Sequence, residues 1–562
     1  MKNQLSDSES VKILVDACAV YGIYNIVLSS GSRNAPLIVS FNRREEFNTY
    51  TITDERSAAF FALGMAEQLD QPVAIVCTSG TALLNYAPAV AEAYYKGIPI
   101  VVISADRPIE QIDQGDGQAI RQIDSLKNFV KESISLPIVA SSEDSWYINN
   151  ILTKAFYALI NKKSGPIHIN VPLREPLYNT REYSYTSKFP NILNIDRNIC
   201  DVDKLLLEDK INKYKRILII PCIAEDNKRL HTLIEKISKY PQIVVLTETI
   251  NNLNSKDNFH GIDKYIKAIQ NEDIHDEYHP ELLITFGDIL ISRMVKTFLS
   301  EIKSLEHWHI NESEKHIDMF HKLSFRIDIK ASVFFESINI KENRASNYRN
   351  LWIDLSKKIN AYSNIFTKEQ PWSDYKLFTN LSDLIPKDYI IHSGNSTVIR
   401  YLQIVEKFKE YKCFCNRGTS GIDGSVSTAV GASVVNNKKN LLIVGDLSFY
   451  YDSNGLWNKY LNKNLKIILI NNQGGNIFRF INGPANLPEL ESFFEHKIDI
   501  SAYGLSKTFN IDYFSADSDI DLINIFDDFI NSEKCSILEV RTPRKINDLI
   551  LKKYFTNINT FR

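Results

Sequence analysis

Cysteine is scarce in this sequence, and the few cysteines are dispersed. Seven occur among 562 residues, and no two have the Cys-x-x-Cys spacing of zinc sites and redox motifs. Cys413 and Cys415 stand one residue apart on a predicted strand, so we expect their side chains to point to opposite faces. An odd, dispersed set of thiols is typical of reduced cytoplasmic proteins, and we expect a cytoplasmic location.

Glycine and proline are also few, and the sequence has neither long apolar runs nor a large excess of either charge. The 21 glycines and 18 prolines are too few for fibrous or low-complexity proteins. The longest apolar runs, such as 98–104 and 465–470, are far shorter than the ~18 residues of a membrane span. The 65 basic and 68 acidic side chains give a net charge of −3, which argues against a basic field that attracts nucleic acid. We therefore expect neither a membrane nor a nucleic-acid partner.

The sequence does contain a repeated alternation of short apolar runs and helical stretches. Such runs are typical of buried parallel strands in doubly wound α/β folds. The predicted strands lie at 25–29, 72–77, 98–104, 166–171, 216–220, 242–246, 281–286, 389–392, 441–445, 465–470 and 536–540. A length of 562 residues predicts roughly three to four domains.

Polar stretches divide this pattern into three parts. We interpret 178–201 and 340–350 as linkers, and we expect three doubly wound parallel-sheet domains at 1–180, 200–340 and 350–562. The strand-to-helix turns at 77–81 and 392–396 are similar, so the first and last domains look like partners. Ligands of such folds bind beyond the carboxyl ends of the strands, and the turns there are where we expect functional residues.

Two turns in the last third carry metal-binding residue types. Val-Gly-Asp-Leu-Ser at 444–448 and Ile-Asn-Asn-Gln-Gly-Gly at 470–475 place Asp446 and Asn472 26 positions apart, which suits two strands with a helix between them. A carboxylate, an amide carbonyl and a backbone carbonyl beside glycine are oxygen ligands that Mg²⁺ prefers, and Mg²⁺ also binds phosphate oxygens. The hydroxyl of Ser448 could hydrogen-bond the same phosphate group. Asp446 alone would more simply cap the next helix. The second turn favours the metal site.

Glu55 is the candidate at the other end of the chain. The segment 51–56 opens a helix of small and apolar residues, and an acidic residue in a first helical turn complements the helix dipole without any further role. What favours a function for Glu55 is the combination of such a helix with a diphosphate and metal site in another domain.

These residues resemble a known family. Gly445 and Asp446 with Asn471 and Asn472 are similar to the diphosphate motif of thiamine-diphosphate enzymes, and Glu55 stands where their cofactor-activating glutamate stands. More narrowly, the chain resembles the 2-succinyl-5-enolpyruvyl-6-hydroxy-3-cyclohexene-1-carboxylate (SEPHCHC) synthase family. The similar segments are Gly-Ser-Arg-Asn-Ala-Pro-Leu at 31–37, Thr-Asp-Glu-Arg-Ser-Ala at 53–58, Ala-Asp-Arg-Pro at 105–108 with Gln-Ala-Ile-Arg-Gln at 118–122, Asn-Arg-Gly-Thr-Ser-Gly-Ile-Asp-Gly at 416–424, and Gly-Asp-Leu-Ser at 445–448 with Asn-Asn-Gln-Gly-Gly at 471–475.

The resemblance implies pyrimidine-binding, central and diphosphate-binding domains, with thiamine diphosphate and Mg²⁺, or Mn²⁺, as cofactors. Glu55 is then the catalytic residue, because it hydrogen-bonds the aminopyrimidine ring and so activates the cofactor. The implied cofactor-binding residues are Glu55, Gly421, Ile422, Asp446, Leu447, Ser448, Asn472, Asn476 and Ile477. The implied metal ligands are Asp446, Asn472 and Gly474.

The implied reaction is decarboxylation of 2-oxoglutarate and addition of the remaining carbanion equivalent to isochorismate, which gives SEPHCHC and CO₂ in menaquinone biosynthesis. Both substrates are dicarboxylates, and arginine binds carboxylates with two parallel hydrogen bonds. The implied substrate-binding residues are Ser32, Arg33, Arg107, Gln118, Arg293, Ser396, Arg400, Arg417, Ile477 and Phe478. Because the domains of Glu55 and Asp446 usually meet across a subunit interface in this superfamily, we expect a homodimer or a homotetramer.

The sequence departs from the pattern at a few positions and leaves alternatives open. Leu447 replaces the glycine of most thiamine enzymes, as it does in the proposed family, Asn34 replaces a Ser or Thr, and Ser292 stands where a basic residue is expected beside Arg293. One alternative is a carboligase of the acetolactate synthase type that uses another 2-oxo acid. The other is a binding protein that keeps the cofactor site without catalysis.

Overall fold

The structure is a computed structural model, and it describes residues 4–183, 189–192, 198–223, 227–253, 255–270, 275–481 and 483–558. The chain divides into two compact units. Unit 1 consists of 1–194, 416–440 and 448–465, and unit 2 consists of 195–415, 441–447 and 466–562. Residues 184–188 and 193–197 of the predicted linker 178–201 lie outside the described residues.

The strands, in chain order, are β1 (Gln4–Ser6), β2 (Asn25–Leu28), β3 (Asn48–Thr51), β4 (Val73–Cys77), β5 (Ile100–Asp106), β6 (Ser133–Ser135), β7 (Ile167–Pro172), β8 (Thr180–Glu182), β9 (Ile217–Pro221), β10 (Ile243–Thr247), β11 (Phe259–His260), β12 (Leu282–Phe286), β13 (Glu306–Ile310), β14 (Leu323–Ile327), β15 (Tyr389–Ser393), β16 (Lys412–Cys415), β17 (Lys439–Gly445), β18 (Leu465–Asn471), β19 (Asp512–Ala516) and β20 (Ser536–Arg541).

The α-helices are α1 (Glu9–Val20), α2 (Ala35–Arg43), α3 (Glu55–Leu69), α4 (Thr81–Asn85), α5 (Ala87–Lys96), α6 (Ser142–Ile160), α7 (Asp201–Ile211), α8 (Lys228–Ile237), α9 (Ile262–Ile269), α10 (His275–Tyr278), α11 (Arg293–Glu301), α12 (Ala331–Ser337), α13 (Tyr348–Glu369), α14 (Asp374–Leu384), α15 (Thr397–Ile404), α16 (Ser425–Val435), α17 (Asp446–Tyr451), α18 (Tyr503–Thr508), α19 (Asp519–Ile530) and α20 (Asn547–Ile558). Among the residues that the structure describes, none of the helices combines the length and apolarity that a bilayer crossing requires.

Unit 1 contains a six-stranded sheet in the order β3-β2-β4-β5-β7-β6, and all of its pairs are parallel. Strands β2, β4 and β5 are buried along their whole length, because α-helices cover both faces of such a sheet. The segment 178–201, which we interpret from the sequence as a linker, contains a strand, β8, which pairs antiparallel with β1. Both strands are short and polar, and each supplies the backbone partners that the other lacks.

Unit 2 contains two further six-stranded sheets, in the orders β11-β10-β9-β12-β13-β14 and β16-β15-β17-β18-β20-β19. If the strands of each sheet are counted in chain order, the central sheet has the order 3-2-1-4-5-6. The sheet of unit 1 and the last sheet both have the order 2-1-3-4-6-5. The prediction of three parallel α/β sheets is therefore confirmed.

The strand orders locate the crevices in which such sheets bind ligands. The order reverses between β2 and β4 in unit 1, and between β15 and β17 in the last sheet. Ligands bind outside the carboxyl ends of the strands at these reversals. The turns that follow β2, β4, β15 and β17 contain Arg33, Gly80, Ser396 and Asp446.

Candidate active site

Glu55 is the first residue of α3, and its backbone is held on both sides. Asp54 caps the helix by accepting hydrogen bonds from the amides of Arg56 (2.9 Å) and Ser57 (3.3 Å). The other oxygen of Asp54 accepts from Asn454 Nδ2 at 2.6 Å, and the guanidinium of Arg56 donates to the carbonyl of residue 451 at 2.9 Å. The segment 451–454 of unit 1 therefore fixes the start of α3.

The Glu55 side chain lines a cavity of about 380 Å³ in unit 1. Residues 78–82, Asn85 and 118–120 line the rest of this cavity, so Glu55 and Gln118 lie on the same cavity. The hydroxyl of Thr78 is buried there without a hydrogen-bond partner in the structure. Burial first, and then the Glu55 carboxylate, raise the pKa of the Cys77 thiol directly before this turn. The cavity therefore offers a carboxyl group and an unused hydroxyl to a ligand.

The turn after β4 meets the segment 118–122 at close range. Gly80 has φ +88°, and a Cβ atom there would lie 3.2 Å from Gln118 Cα, so the position requires glycine. Gln122 is buried, and its Oε1 accepts a hydrogen bond from the Gly80 amide at 2.8 Å. The exposed Gln118 itself has φ +56°. Two sequence-distant turns thus form one wall of the cavity.

Arg33 and Arg107 interact electrostatically near the strand ends of the same sheet. Arg33 is buried and donates to the carbonyl of Leu173 at 3.0 Å and to Glu175 at 3.3 Å. Burial and then the Arg107 charge lower the pKa of Arg33. Arg107 donates to the carbonyl of Gly117 through Nε (3.1 Å) and Nη2 (2.6 Å). Neighbouring guanidinium groups favour an anionic ligand.

The neighbours of Arg33 in this turn differ in their exposure. Ser32 is exposed at the start of the turn. Asn34 is buried and donates from Nδ2 to the carbonyl of Ser29 at 2.8 Å, a contact that a shorter Ser or Thr hydroxyl does not reach in the same way. The asparagine at position 34, where a Ser or Thr is expected, therefore holds the turn through its side-chain hydrogen bond.

Unit 1 also contains Arg417, Gly421, Ile422 and Ser448. Ser448 Oγ donates to the carbonyl of Ile422 at 2.6 Å, which joins two of the predicted cofactor residues. The side chain of Ile422 is 41% exposed, so it is accessible to a ligand. Arg417 and Gly421 are half-buried in the same loop.

The loop 417–422 is fastened by Glu92, a residue of α5 that is 1% exposed. Its carboxylate accepts from the amides of Gly418 (2.7 Å) and Thr419 (2.6 Å) and from the Thr419 hydroxyl (2.9 Å). These hydrogen bonds compensate the buried charge, so Glu92 holds the loop.

In unit 2, Asp446 and Gly474 are in direct contact. The Gly474 amide donates to Asp446 Oδ2 at 2.8 Å, and the Leu447 amide donates to Oδ1 at 2.6 Å. Burial raises the pKa of Asp446 to about 7, although these amides oppose the shift and the charge of Asp374 adds to it. Gly474 has φ +131°, and a Cβ there would lie 2.5 Å from the carbonyl oxygen of Glu495. Asp446 is therefore more than a helix cap, because one oxygen reaches a second turn.

Asn472 contacts Asp374, the residue whose charge contributes to the raised pKa of Asp446. Its Nδ2 donates to Asp374 Oδ2 at 3.0 Å, which leaves its Oδ1 as the group for a cation. Asn476 donates from Nδ2 to the carbonyl of Asn472 at 3.2 Å, and its buried Oδ1 lacks a partner in the structure. Ile477 and Phe478 follow in a short 3₁₀ helix, 476–479, and are half-buried. This donor set of hard oxygens fits Mg²⁺ or Mn²⁺.

Unit 2 also contains Ser396, Arg400 and Arg293. Ser396 begins the turn into α15 with φ +71°, a strained conformation for a residue other than glycine. Arg400 donates to the carbonyl of Ser396 at 2.6 Å. Burial raises the pKa of Asp263, and the charge of Arg400 partly opposes this shift.

Asp263 in turn accepts a hydrogen bond from Ser292. Ser292 is a buried cap of α11, since its hydroxyl accepts from the Val295 amide at 3.1 Å. Arg293, the first residue of that helix, is exposed. The serine at position 292 thus caps a helix where a basic side chain would be buried.

Three functional groups in these sites escape sequence reasoning. Thr78 follows a strand in a small-residue turn, which is a local signal, but nothing marks its hydroxyl as unpartnered. Asp374 lies 98 positions from Asn472, and Glu92 lies 327 from Thr419, so no spacing reveals either contact. Within the described residues, no group of three or more His, Cys, Asp and Glu side chains is arranged to hold a metal ion. The candidate metal site therefore depends on an amide and a backbone carbonyl.

Comparisons with known proteins concern the N-terminal part of the chain and the fold. The family described as "Thiamine pyrophosphate enzyme, N-terminal TPP binding domain" matches residues 9–126. A benzoylformate decarboxylase from Polynucleobacter necessarius shares the fold, with a TM-score of 0.73 over 95% of this chain and 99% of that chain, at 14% identity.

Relatives that carry the name 2-succinyl-5-enolpyruvyl-6-hydroxy-3-cyclohexene-1-carboxylate synthase match over nearly the whole length. The protein from Flavobacterium johnsoniae is 42% identical over 97% of this chain and 98% of its own length. The protein from Porphyromonas gingivalis is 38% identical over 100% of this chain and 99% of its own length. The chain therefore belongs to the SEPHCHC synthase family of thiamine-diphosphate enzymes.

Proposed function

We propose that this chain decarboxylates 2-oxoglutarate and adds the remaining four-carbon unit to isochorismate. The products are SEPHCHC and CO₂, and the reaction is a step of menaquinone biosynthesis. The observation that carries the proposal is the cavity that Glu55 shares with Gln118, with the Arg33–Arg107 pair in the same unit. A carboxyl group and cations are the residue types that this cofactor and two dicarboxylates require.

The cofactor in this proposal is thiamine diphosphate, which when bound supplies a carbanion at its thiazolium ring for attack on the 2-oxo group. Glu55 would hydrogen-bond the aminopyrimidine ring, and its place as the first residue of α3 positions its carboxyl group for that contact. Contacts to the cofactor come from Gly421, Ile422, Asp446, Leu447, Ser448, Asn472, Asn476 and Ile477. The exposed Ile422 and the unpartnered oxygen of Asn476 both fit a bound group.

Mg²⁺ or Mn²⁺ binds Asp446, Asn472 and the carbonyl of Gly474 in this proposal. Burial and the charge of Asp374 raise the pKa of Asp446, which means that its charged form is disfavoured. A divalent cation would stabilise that charged form. The Asp374 contact orients the Asn472 amide, and Gly474 allows the backbone to approach. The three oxygen donors match the preference of both cations.

Arginine side chains bind the carboxylates of the two substrates in this proposal. The proposed substrate residues are Ser32, Arg33, Arg107, Gln118, Arg293, Ser396, Arg400, Arg417, Ile477 and Phe478. Arg33 and Arg107 are prearranged by backbone carbonyls, so little side-chain entropy is lost when they bind a carboxylate. We further propose a cytoplasmic location and a homodimer or homotetramer. The location rests on the sequence, and the assembly rests on the resemblance.

The test is CO₂ release from 2-oxoglutarate by the full-length chain with thiamine diphosphate, Mg²⁺ and isochorismate. We expect Glu55→Gln to lower turnover by at least about 100-fold, the usual contribution of a positioned proton-transfer group. Glu67→Gln is the matched control, because Glu67 lies on the same helix and pairs with Lys96. Thermal unfolding of Glu55→Gln should match that of the unmodified chain, whereas Glu67→Gln is expected to be less stable because it breaks a largely buried ion pair. Full activity of Glu55→Gln would reject the assigned role, and no CO₂ release by the unmodified chain would reject the function.

A further inference from the structure

Asn170 occupies the centre of a buried polar network in unit 1. It lies on β7 directly opposite Ser104 of β5, and it is 1% exposed. Its Oδ1 accepts from Ser104 Oγ (2.9 Å) and Gln122 Nε2 (3.0 Å). Its Nδ2 donates to Asp106 Oδ2 (2.9 Å) and Ser135 Oγ (3.3 Å). All four hydrogen-bonding positions of the amide are therefore used.

Two branches of this network end at the candidate site. Through Gln122, Asn170 is connected to the Gly80 amide, which lies in the wall of the Glu55 cavity. Through Asp106, it is connected to Arg107, whose amide donates to Asp106 Oδ1 at 2.8 Å. The buried amide thus links the turn that shapes the cavity to the residue that binds substrate.

Only one orientation of the two side-chain amides satisfies the network. A backbone amide is an obligatory donor, so Gln122 must present Oε1 to Gly80 and Nε2 to the carbonyl of Ala105 at 3.1 Å. Gln122 Nε2 then requires the oxygen of Asn170, which leaves Nδ2 for the carboxylate of Asp106. A change of one atom in Asn170 would therefore place an acceptor against an acceptor.

We propose that Asn170 is a positioning residue that sets Arg107 and the turn at Gly80 in the geometry for substrate binding. The inference rests on the proposed function, because it takes Arg107 to bind a substrate carboxylate. Asn170 is 1% exposed and is not among the residues that line the Glu55 cavity, so it acts through Asp106 and Gln122. Buried networks of this kind specify one arrangement because each unsatisfied member is costly.

Asn170→Asp tests the proposal with almost no change in volume. The variant keeps an acceptor for Ser104 and Gln122, and it places a second oxygen against the Asp106 carboxylate. Ser135→Ala is the matched control, because Ser135 and Ser104 are the two contacts of Asn170 that lead away from the site and this variant removes the first of them. KM and kcat are measured for 2-oxoglutarate and isochorismate on the loaded full-length enzyme, and deuterium exchange of segment 107–122 is measured without substrates.

We expect Asn170→Asp to raise KM for at least one substrate by about tenfold, equivalent to about 1.4 kcal/mol of binding. The kcat should change less than threefold, and exchange in 107–122 should be faster than in Ser135→Ala. A lower kcat with unchanged KM, or equal behaviour of the two variants, would overturn the proposal. If Asn170→Asp does not fold, Gln122→Glu removes the other branch and is expected to raise KM in the same way. An inactive parent enzyme would reject the proposed function, while the exchange comparison would still decide the role of Asn170.

Discussion

Replacing Gly64 with alanine is expected to destabilise unit 1, although alanine is the better helix former. Gly64 of α3 packs against Thr428 of α16, and Gly431 of α16 packs against Phe61 of α3. A Cβ on Gly64 would lie 2.8 Å from the carbonyl carbon of Thr428, and closer to its oxygen. A Cβ on Gly431 would lie 2.7 Å from the carbonyl carbon of Phe61. The two contacts are reciprocal, so each helix uses one glycine to approach the other.

The expected magnitude follows from two opposing terms. Alanine gains about 1 kcal/mol over glycine in helix propensity. Against this gain, the obstructing atoms belong to the backbone, so no side-chain rotation relieves the overlap and the helices must separate. Overpacking of a buried contact costs about 1–3 kcal/mol, and gaps of 0.5–1 Å remove about a quarter to a half of the dispersion energy of the contacts around them. Because the obstructing atoms are backbone, we take the upper end of that cost, about 3 kcal/mol, and expect a net loss of about 2 kcal/mol for Gly64→Ala.

The assay compares Gly64→Ala, Gly431→Ala and the double variant with Gly504→Ala. Gly504 lies in α18 with no atom near its Cβ position, so this control reports the propensity gain alone. Because a chain of several domains does not unfold in one step, amide exchange of α3 and α16 is read together with the thermal midpoint. The double variant should lose less than the sum of the single losses, since the first substitution already separates the helices. Gly64→Ala as stable as Gly504→Ala, or fully additive losses, would refute the reasoning.

Two further predictions concern the metal and pH. Chelation of divalent cations should abolish CO₂ release, and Mg²⁺ or Mn²⁺ should restore it in the parent chain but not in Asp446→Asn; activity that survives exhaustive chelation would contradict the metal assignment. Burial lowers the pKa of His168 from 6.5 to about 4, so the unfolded chain takes up the proton first and stability falls as pH decreases from about 6.5 towards 4. At pH 5 the loss is about 2 kcal/mol relative to pH 8, and His168→Gln should show a flatter pH dependence of its thermal midpoint; an unchanged slope would exclude His168 as its source.

The central parallel strands could be predicted because both of their faces are buried, and their sequences are therefore continuous apolar runs. Val73–Cys77 and Leu465–Asn471 are buried at every position, and their apolar runs are visible without any partner. The edge strands Asn48–Thr51 and Leu323–Ile327 are partly exposed and contain polar residues, so the same criterion does not find them. Edge strands are recognised by the neighbour they pair with, which lies elsewhere in the sequence.

The candidate site divides in the same way. Arg107 and Asp446 directly follow strands whose apolar runs are visible in the sequence, and there the fold class predicts functional residues. The strand before Glu55, Asn48–Thr51, is one of the edge strands that the sequence does not reveal. The residues that hold those turns, such as Asn170 and Asp374, have no local signal, because their roles consist of hydrogen bonds to distant segments. A polar residue inside an apolar strand, as in Ile-His-Ile-Asn-Val at 167–171, is the nearest sequence indication of such a network.

The net charge of −3 conceals two local imbalances of opposite sign. In unit 2 the charge of Asp374 adds to burial in raising the pKa of Asp446 to about 7. In unit 1 the charge of Arg107 adds to burial in lowering the pKa of Arg33, and Glu175 does not reverse that shift. Each pair places like charges together, an arrangement that costs free energy until a ligand of opposite charge binds. In the proposed function a divalent cation would stabilise the first pair and a substrate carboxylate would stabilise the second, and the total charge predicts neither ligand.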